Sequence, residues 1–227
     1  NVSLYNSSGT EKGQPNSSIN PTPVIGMLGI LSDVTRANPS GFTEEGLAVI
    51  LLGATREEFD GSAWARIARS HLGGLPPEVD LKAEVALGNV VRALSAADGP
   101  DGRPLVRAAH DLSNGGLVQS LADSALRFGI GGVFDVAAAR RDGVGDHEML
   151  LSESQARAFV VVPEAAVKAV YAAAEAEGVE ATRIGTTGGD MLAISGIDLL
   201  AAEGEGGGWV ISLNELRELS ESGRRHF

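Results

Sequence analysis

The 227-residue chain contains no cysteine, and aromatic side chains make up only 4% of it. Without cysteine there can be no disulfide, no thiolate nucleophile and no zinc held by sulfur. The shortage of aromatics means that the core must be built mainly from Ala, Val, Leu and Ile. No apolar run reaches the roughly eighteen residues that a membrane-spanning helix needs, so we expect no membrane partner.

Basic residues are also scarce. The chain has 18 Lys and Arg against 30 Asp and Glu, which gives a formal net charge of −12. No basic stripe is available to neutralise phosphates, so we expect no nucleic-acid partner. A small anion can still bind, because a helix N-terminus attracts one whatever the overall charge. With no visible signal peptide, the composition favours a cytoplasmic protein.

Three common catalytic or nucleotide-binding motifs are missing. The sequence contains no GxxxxGK[ST] phosphate loop, no dinucleotide-binding fingerprint and no GxSxG nucleophile elbow. Any nucleotide site in this chain must therefore be of another kind.

Hydrophobic periodicity predicts a mixture of strands and helices that do not strictly alternate, which favours an α+β (mixed α/β) class. The predicted strands cover residues 1–5, 24–31, 47–53, 104–109, 133–136, 157–162, 182–186, 191–195 and 209–213. The predicted helices cover residues 62–71, 80–97, 118–128, 164–177 and 213–219. Ser62 and Asp80 are expected to cap the first two helices.

A turn or linker at Asn38-Pro39-Ser40-Gly41 predicts a domain boundary near residue 40. The first residue is Asn rather than Met, and a strand pattern follows at once. We therefore expect the chain to be a domain fragment or a proteolytic product. A leader segment that this sequence does not include is the other explanation.

The most informative stretch is His110-Asp111-Leu112-Ser113-Asn114-Gly115-Gly116-Leu117. A strand, a glycine-rich turn and a helix in this order direct backbone N–H groups toward a phosphate or carboxylate. In the alternative interpretation, Ser113 or Asn114 only caps the helix and the glycines only shape the turn.

Three further polar clusters were considered. Ser152-Glu153-Ser154-Gln155-Ala156-Arg157 precedes a strand and could line a pocket, or form an exposed loop in which Arg157 pairs with a neighbouring carboxylate. Asn1 and Ser3 share one face of a strand and could meet hydrated Mg²⁺ or a phosphate. His147, between Asp146 and Glu148, is interpreted as a solvated turn rather than a metal site.

Five motifs occur along the chain in the order in which one known family has them, and they carry a resemblance to that family. They are Asn1–Asn6, Pro21–Gly26, Asp33-Val34, His110–Leu117 and Ser152–Arg157. Over nearly its whole length the chain resembles the C-terminal part of the synthetase subunit in the phosphoribosylformylglycinamidine synthase family. That family lies within the aminoimidazole-ribonucleotide-synthetase-like superfamily.

The resemblance implies a fold, a reaction and partners. Residues 1–40 would be the last strands of the second A-type domain, and residues 41–227 would be the second B-type domain. The family converts formylglycinamide ribonucleotide, ammonia and ATP to formylglycinamidine ribonucleotide in purine biosynthesis, with Mg²⁺ at the transferred phosphoryl group. The implied partners are the N-terminal half of the subunit, a glutaminase subunit that supplies ammonia from glutamine, a small accessory subunit and the ribonucleotide substrate.

The resemblance assigns residue roles unevenly. Asn1 would be a Mg²⁺ ligand and Ser3 would contact the substrate, whereas the catalytic histidine belongs to the first half and is not in this chain. An auxiliary nucleotide site or a purely structural site would contain His110, Asp111, Ser113, Asn114, Gly115, Gly116, Ser152, Glu153, Gln155 and Arg157. The chain departs from the family pattern at Ser7-Ser8, where Glu-Thr is common.

Two functions follow from these assignments. The first is a fragment of the ligase that is inactive alone. The alternative is a non-catalytic nucleotide-holding or domain-interaction module with the same superfamily fold. Either would expose an apolar surface that is normally covered, so self-association is expected.

Overall fold

The computed structural model describes residues 25–197 and 207–224. The chain divides into two units, residues 1–32 and residues 33–227. In the first unit the described residues, 25–32, have no regular secondary structure, so the strand predicted at 24–31 is wrong over that stretch. The predicted strand at 1–5, and with it Asn1 and Ser3, lies outside the described residues.

The second unit is built on one seven-stranded sheet with helices on both sides. The strands are β1 (Ala48–Leu52), β2 (Ala108–Asp111), β3 (Gly132–Asp135), β4 (Ala158–Val162), β5 (Ala181–Thr187), β6 (Met191–Ser195) and β7 (Gly208–Ser212). The helices are α1 (Ala63–Arg69), α2 (Leu81–Ala96), α3 (Gly116–Phe128), α4 (Asp146–Leu151), α5 (Val167–Ala176) and α6 (Leu213–Arg224). This arrangement confirms the mixed α/β class.

The strands lie in the order β2-β4-β1-β5-β3-β6-β7. All the pairings are antiparallel except that of β3 with β6. The two predicted strands on either side of Gly188-Gly189 exist as β5 and β6, but β3 lies between them in the sheet. β1 occupies an interior position, which explains why its sequence is an unbroken apolar run.

The core has two layers because alternate residues of β1 face opposite sides of the sheet. Val49 and Leu51 pack with α3 and α4, whereas Ala48, Ile50 and Leu52 pack with α2 and α5. All five side chains of β1 are buried. The predicted caps of the first two helices are confirmed. The Ser62 side chain accepts a hydrogen bond from Ala65 N, and the Asp80 side chain accepts from Lys82 N and Ala83 N.

Three local predictions need correction. The strand expected at 104–109 lies at 108–111, so His110 and Asp111 belong to the strand rather than to the loop that follows it. On α2 the buried residues are Leu87, Val90 and Leu94, whereas Leu81 and Val85 are exposed. The solvated turn expected around His147 is a short helix, α4, which buries Met149 and Leu150.

No helix within residues 25–197 and 207–224 is long and apolar enough to cross a membrane.

Candidate functional site

The glycine-rich loop lies between β2 and α3, as the sequence predicts, but its glycines are used within the protein. Gly115 and Gly116 have φ values of 81° and 66°, which favour glycine. A Cβ at Gly116 would lie 2.6 Å from the carbonyl oxygen of Ser152. The second glycine therefore allows the chain at residues 150–152 to contact the first turn of α3.

The N-terminus of α3 already has an anion, and the anion belongs to the protein. Glu153 Oε1 accepts a hydrogen bond from Gly115 N at 2.7 Å and another from Ala63 N at 2.8 Å. One carboxylate oxygen therefore satisfies N–H groups at the starts of both α3 and α1, where negative charge is stabilising. Neither Ser113 nor Asn114 caps α3, and both are exposed, so the expected local cap is wrong.

The serines on either side of Glu153 are buried and hydrogen-bonded. Ser152 Oγ lies 2.9 Å from Ser154 Oγ and 3.3 Å from the carbonyl oxygen of Glu58, to which it donates. Ser154 Oγ accepts from Arg56 N at 3.0 Å. Because both side chains are fully buried, their hydroxyl groups join this segment to residues 56–58 and are not available to a ligand.

Arg157 completes this buried network. Its guanidinium donates to the carbonyl oxygen of Ser154 at 3.0 Å, to Thr55 Oγ1 at 3.0 Å and to the carbonyl oxygen of Ser152. The residue is only 2% exposed. The expected exposed loop with an Arg157–carboxylate pair is therefore wrong.

Burial lowers the pKa of Arg157 to about 10, although the negative charge of Glu58 works in the opposite direction. A guanidinium held by neutral oxygens is costly to bury, so the contacts around it must be kept together. Nothing in the spacing of the SESQAR segment indicated this, because its Thr55 and Glu58 partners lie about a hundred residues earlier in the chain.

His110 lies on the other side of the loop from Glu153's contacts. Its Nδ1 donates to the carbonyl oxygen of Asp111 at 2.6 Å, and its ring packs 5.9 Å from that of Phe159. A carbonyl can only accept, so Nδ1 carries the proton. His110 lines a polar cleft of about 420 Å³ that also contains Arg127 and Arg217. The carboxylate of Asp111 is exposed.

The structure therefore divides the ten predicted residues into three groups. Gly115, Gly116, Ser152, Glu153 and Arg157 form a connected structural joint between α1, α3 and the start of β4. His110 and Asp111 lie on β2, and Ser113 and Asn114 are exposed in the turn. Gln155 lines a separate small cleft of about 170 Å³ with Arg56 and Arg141.

Metal binding has no support in the described part of the chain. Within it, no group of three or more His, Asp or Glu side chains is arranged to hold a metal ion. Asn1, the predicted Mg²⁺ ligand, lies outside the described residues, so its fit to a metal cannot be derived from the geometry.

The described chain is thus a mixed α/β domain with a glycine-rich turn between β2 and α3. The family described as "AIR synthase related protein, C-terminal domain" matches residues 44–195, and the chain belongs to it. This confirms the resemblance drawn from the motifs.

Two bacterial relatives show what the chain is similar to. The chain is 44% identical over 196 residues to phosphoribosylformylglycinamidine synthase subunit PurL of Nocardioides sp., covering 86% of this chain and 23% of the relative. It is 43% identical over 225 residues to the PurL subunit of Renibacterium salmoninarum, covering 98% of this chain and 26% of the relative. The chain thus spans about a quarter of the length of these relatives.

Solved structures show the same fold. T. maritima PurL complexed with ATP matches with a TM-score of 0.59 and 18% identity, covering 81% of this chain and 27% of that chain. T. maritima PurL complexed with FGAR matches with a TM-score of 0.60 and 16% identity, covering 83% and 36%.

Proposed function

We propose that this chain is the C-terminal part of an ATP-dependent ligase that makes formylglycinamidine ribonucleotide from formylglycinamide ribonucleotide, ammonia and ATP in purine biosynthesis. The supporting observation is the 44% identity over 196 residues to a phosphoribosylformylglycinamidine synthase subunit. Because the chain spans only 23% of that relative, the complete activity needs residues that are not in this chain.

We assign residues 1–40 to the end of an A-type domain and residues 41–227 to a B-type domain. In this proposal Asn1 is a ligand of Mg²⁺ and Ser3 contacts the ribonucleotide. The N-terminal half of the subunit supplies the catalytic histidine, most of the Mg²⁺ ligands and half of the substrate cleft. A glutaminase subunit and a small accessory subunit complete the cytoplasmic assembly.

The described residues serve this assembly as a scaffold. The Glu153 carboxylate occupies the N-terminus of α3, where an external anion would bind. The polar atoms of Ser152, Ser154 and Arg157 are hydrogen-bonded within the protein. These contacts support a structural role, rather than an auxiliary nucleotide site, for Gly115, Gly116, Ser152, Glu153 and Arg157. An external phosphate at this helix terminus would have to displace a carboxylate that accepts two hydrogen bonds.

The second candidate, a domain-interaction module, is favoured by exposed apolar side chains in one segment of the chain. Six large apolar side chains between residues 67 and 85 are 60–83% exposed: Ile67, Leu72, Leu75, Val79, Leu81 and Val85. Apolar surface of this density is typical of contact with another domain or another copy. The two candidates are compatible, since a scaffold domain must dock on the catalytic half.

The test is reconstitution. The chain is mixed with the separately produced N-terminal remainder of a PurL subunit, and ADP formation is followed with formylglycinamide ribonucleotide, ATP, Mg²⁺ and ammonia. We expect substrate-dependent ADP release from the mixture and none from either part alone. Rapid turnover of ATP by this chain alone would contradict the proposal, as would a mixture with no more activity than its separate parts.

A further inference from the structure

An apolar groove of about 290 Å³ lies beside α3 and next to the Glu153 joint, since its lining residues Trp64 and Leu151 are the chain neighbours of Ala63 and Ser152. Eight side chains from five elements and one loop position line it: Trp64, Val118, His147, Leu150, Leu151, Ile194, Ile197 and Trp209. Three of them carry flat rings.

The concentration of rings is unusual for this chain. Its aromatic content is 4% and it has only two tryptophans, and both line this groove although 145 positions separate them in the sequence. Neither tryptophan is among the fully buried aromatic side chains of the core, which are Phe42, Phe134 and Phe159, although Trp209 packs partly against that core. Tryptophan that is half-exposed beside apolar side chains is typical of a binding surface.

The ring at Trp64 is held in place from several sides. The Phe59 ring lies 4.8 Å from it, the His147 ring meets it edge-on at 6.0 Å, and the Arg69 guanidinium lies 5.3 Å from its centroid. A wall that is fixed before binding loses little conformational entropy when a ligand arrives.

The groove also offers unused polar ring atoms. Within the described residues, no hydrogen bond reaches the indole N–H of Trp64, that of Trp209 or the imidazole of His147. A ligand that stacks on these walls could therefore also exchange hydrogen bonds at its edge. That combination fits a flat ring with nitrogen atoms better than a saturated apolar group.

The volume of the groove limits the size of the ligand that it can hold. Small-ligand pockets begin at about 300 Å³. At about 290 Å³ the groove lies at the lower end of that range, which suits one ring system rather than a larger ligand.

We propose that this groove binds an uncharged planar heteroaromatic ring, with Trp64 and Trp209 as its stacking walls. The proposal does not depend on the ligase function, because it uses none of the residues assigned to that function.

The experiment uses tryptophan fluorescence of the whole chain, in which the only two tryptophans line the groove. Adenosine is titrated as the probe, with ribose as the control without a ring and cyclohexanol as the apolar control that is not planar. We expect adenosine to cause a saturable change in tryptophan fluorescence, and ribose and cyclohexanol to cause none. Trp64→Ala and Trp209→Ala should each weaken binding by about 5- to 150-fold, the range measured for removing one stacked aromatic partner, with calorimetry as the readout.

A variant that fills the groove tests ligand binding without replacing either tryptophan. Val118→Phe adds bulk to the groove from a half-buried position and should abolish binding, whereas Val85→Phe on the exposed side of α2 should not change it. Thermal unfolding confirms that each variant folds. The proposal is overturned if adenosine gives no saturable signal, if ribose or cyclohexanol gives the same signal, or if Val118→Phe binds normally. A fluorescence change that follows protein concentration and oligomeric mass, with no added probe, would show that a second copy fills the groove and would also overturn it.

Discussion

Replacing Glu153 tests whether the helix terminus at α3 is filled by the protein itself. Its Oε1 accepts hydrogen bonds from Gly115 N at 2.7 Å and Ala63 N at 2.8 Å. A hydrogen bond to a charged group contributes about 1.5–3 kcal/mol, and the two share one oxygen at a partly buried site. We therefore expect Glu153→Ala to lower the free energy of unfolding by about 2–4 kcal/mol, and Glu153→Gln, which keeps an acceptor oxygen, by about half as much.

The measurement is chemical and thermal unfolding of the whole chain. For a unit of this size the loss in Glu153→Ala corresponds to a fall in Tm of roughly 4–16 °C. Glu57→Gln is the matched control, because Glu57 is exposed and its replacement removes the same charge from the loop between β1 and α1, which Glu153 N contacts at the carbonyl oxygen of Glu58. It should change the free energy of unfolding by less than about 0.5 kcal/mol.

Added acetate gives a second readout of the same site. In Glu153→Ala the two N–H groups have no acceptor, so acetate should stabilise this variant more than it stabilises the unmodified chain or Glu57→Gln. If Glu153→Ala is no less stable than Glu57→Gln, or if acetate acts equally on all three proteins, the assignment of Glu153 as the internal anion is refuted.

Three other predictions concern neighbouring contacts. Gly116→Ala should lower the free energy of unfolding by about 3 kcal/mol, because Gly116 has a positive φ and its new Cβ would lie 2.6 Å from Ser152 O. The control Gly129→Ala should cost about 1 kcal/mol, because Gly129 has a φ of 74° but open space around it. Equal losses in urea unfolding would contradict the close approach at Gly116. Arg157→Lys should lower the free energy of unfolding by about 3 kcal/mol, because lysine cannot make the several hydrogen bonds of the buried guanidinium. The control Arg66→Lys, on the exposed side of α1, should leave the free energy of unfolding nearly unchanged. Similar losses in the two variants would contradict the buried network. The Arg107 hydrogen bond holds the pKa of Asp101 below its usual 3.8, so this pair stabilises the fold above that pH and is lost as the pH falls through the lowered pKa. Asp101→Asn should therefore lower Tm at neutral pH and make little difference in strong acid, and a deficit that is the same at both pH values would contradict this.

The parts of the fold that the sequence predicts well are those with local causes. β1 is an uninterrupted apolar run because it is interior to the sheet, and α2 begins at Asp80 because that side chain accepts from its own first turn. These features need only neighbouring residues. The sequence does not predict helix α4 (residues 146–151), because Gly145 precedes it and has no side chain that could cap its first turn.

The candidate site was harder to predict because its contacts are distant in sequence. Glu153 caps α3 from 38 residues away, and Arg157 bonds to Thr55, 102 residues away. A motif such as HDLSNGG shows that N–H groups are available at a helix start, but not which acceptor reaches them. The apolar run at 24–31 has the composition of a strand, yet in residues 25–32 no neighbouring strand pairs with it.

The most direct test of the functional account compares Asn1→Ala with His110→Ala in the reconstituted ligase. The account predicts that Asn1→Ala lowers substrate-dependent ADP formation by at least about 10- to 100-fold, because Asn1 is the proposed Mg²⁺ ligand. His110→Ala should leave kcat within a few-fold, because the account gives His110, on β2, no catalytic role. A large loss in His110→Ala together with near-normal activity in Asn1→Ala would contradict the account.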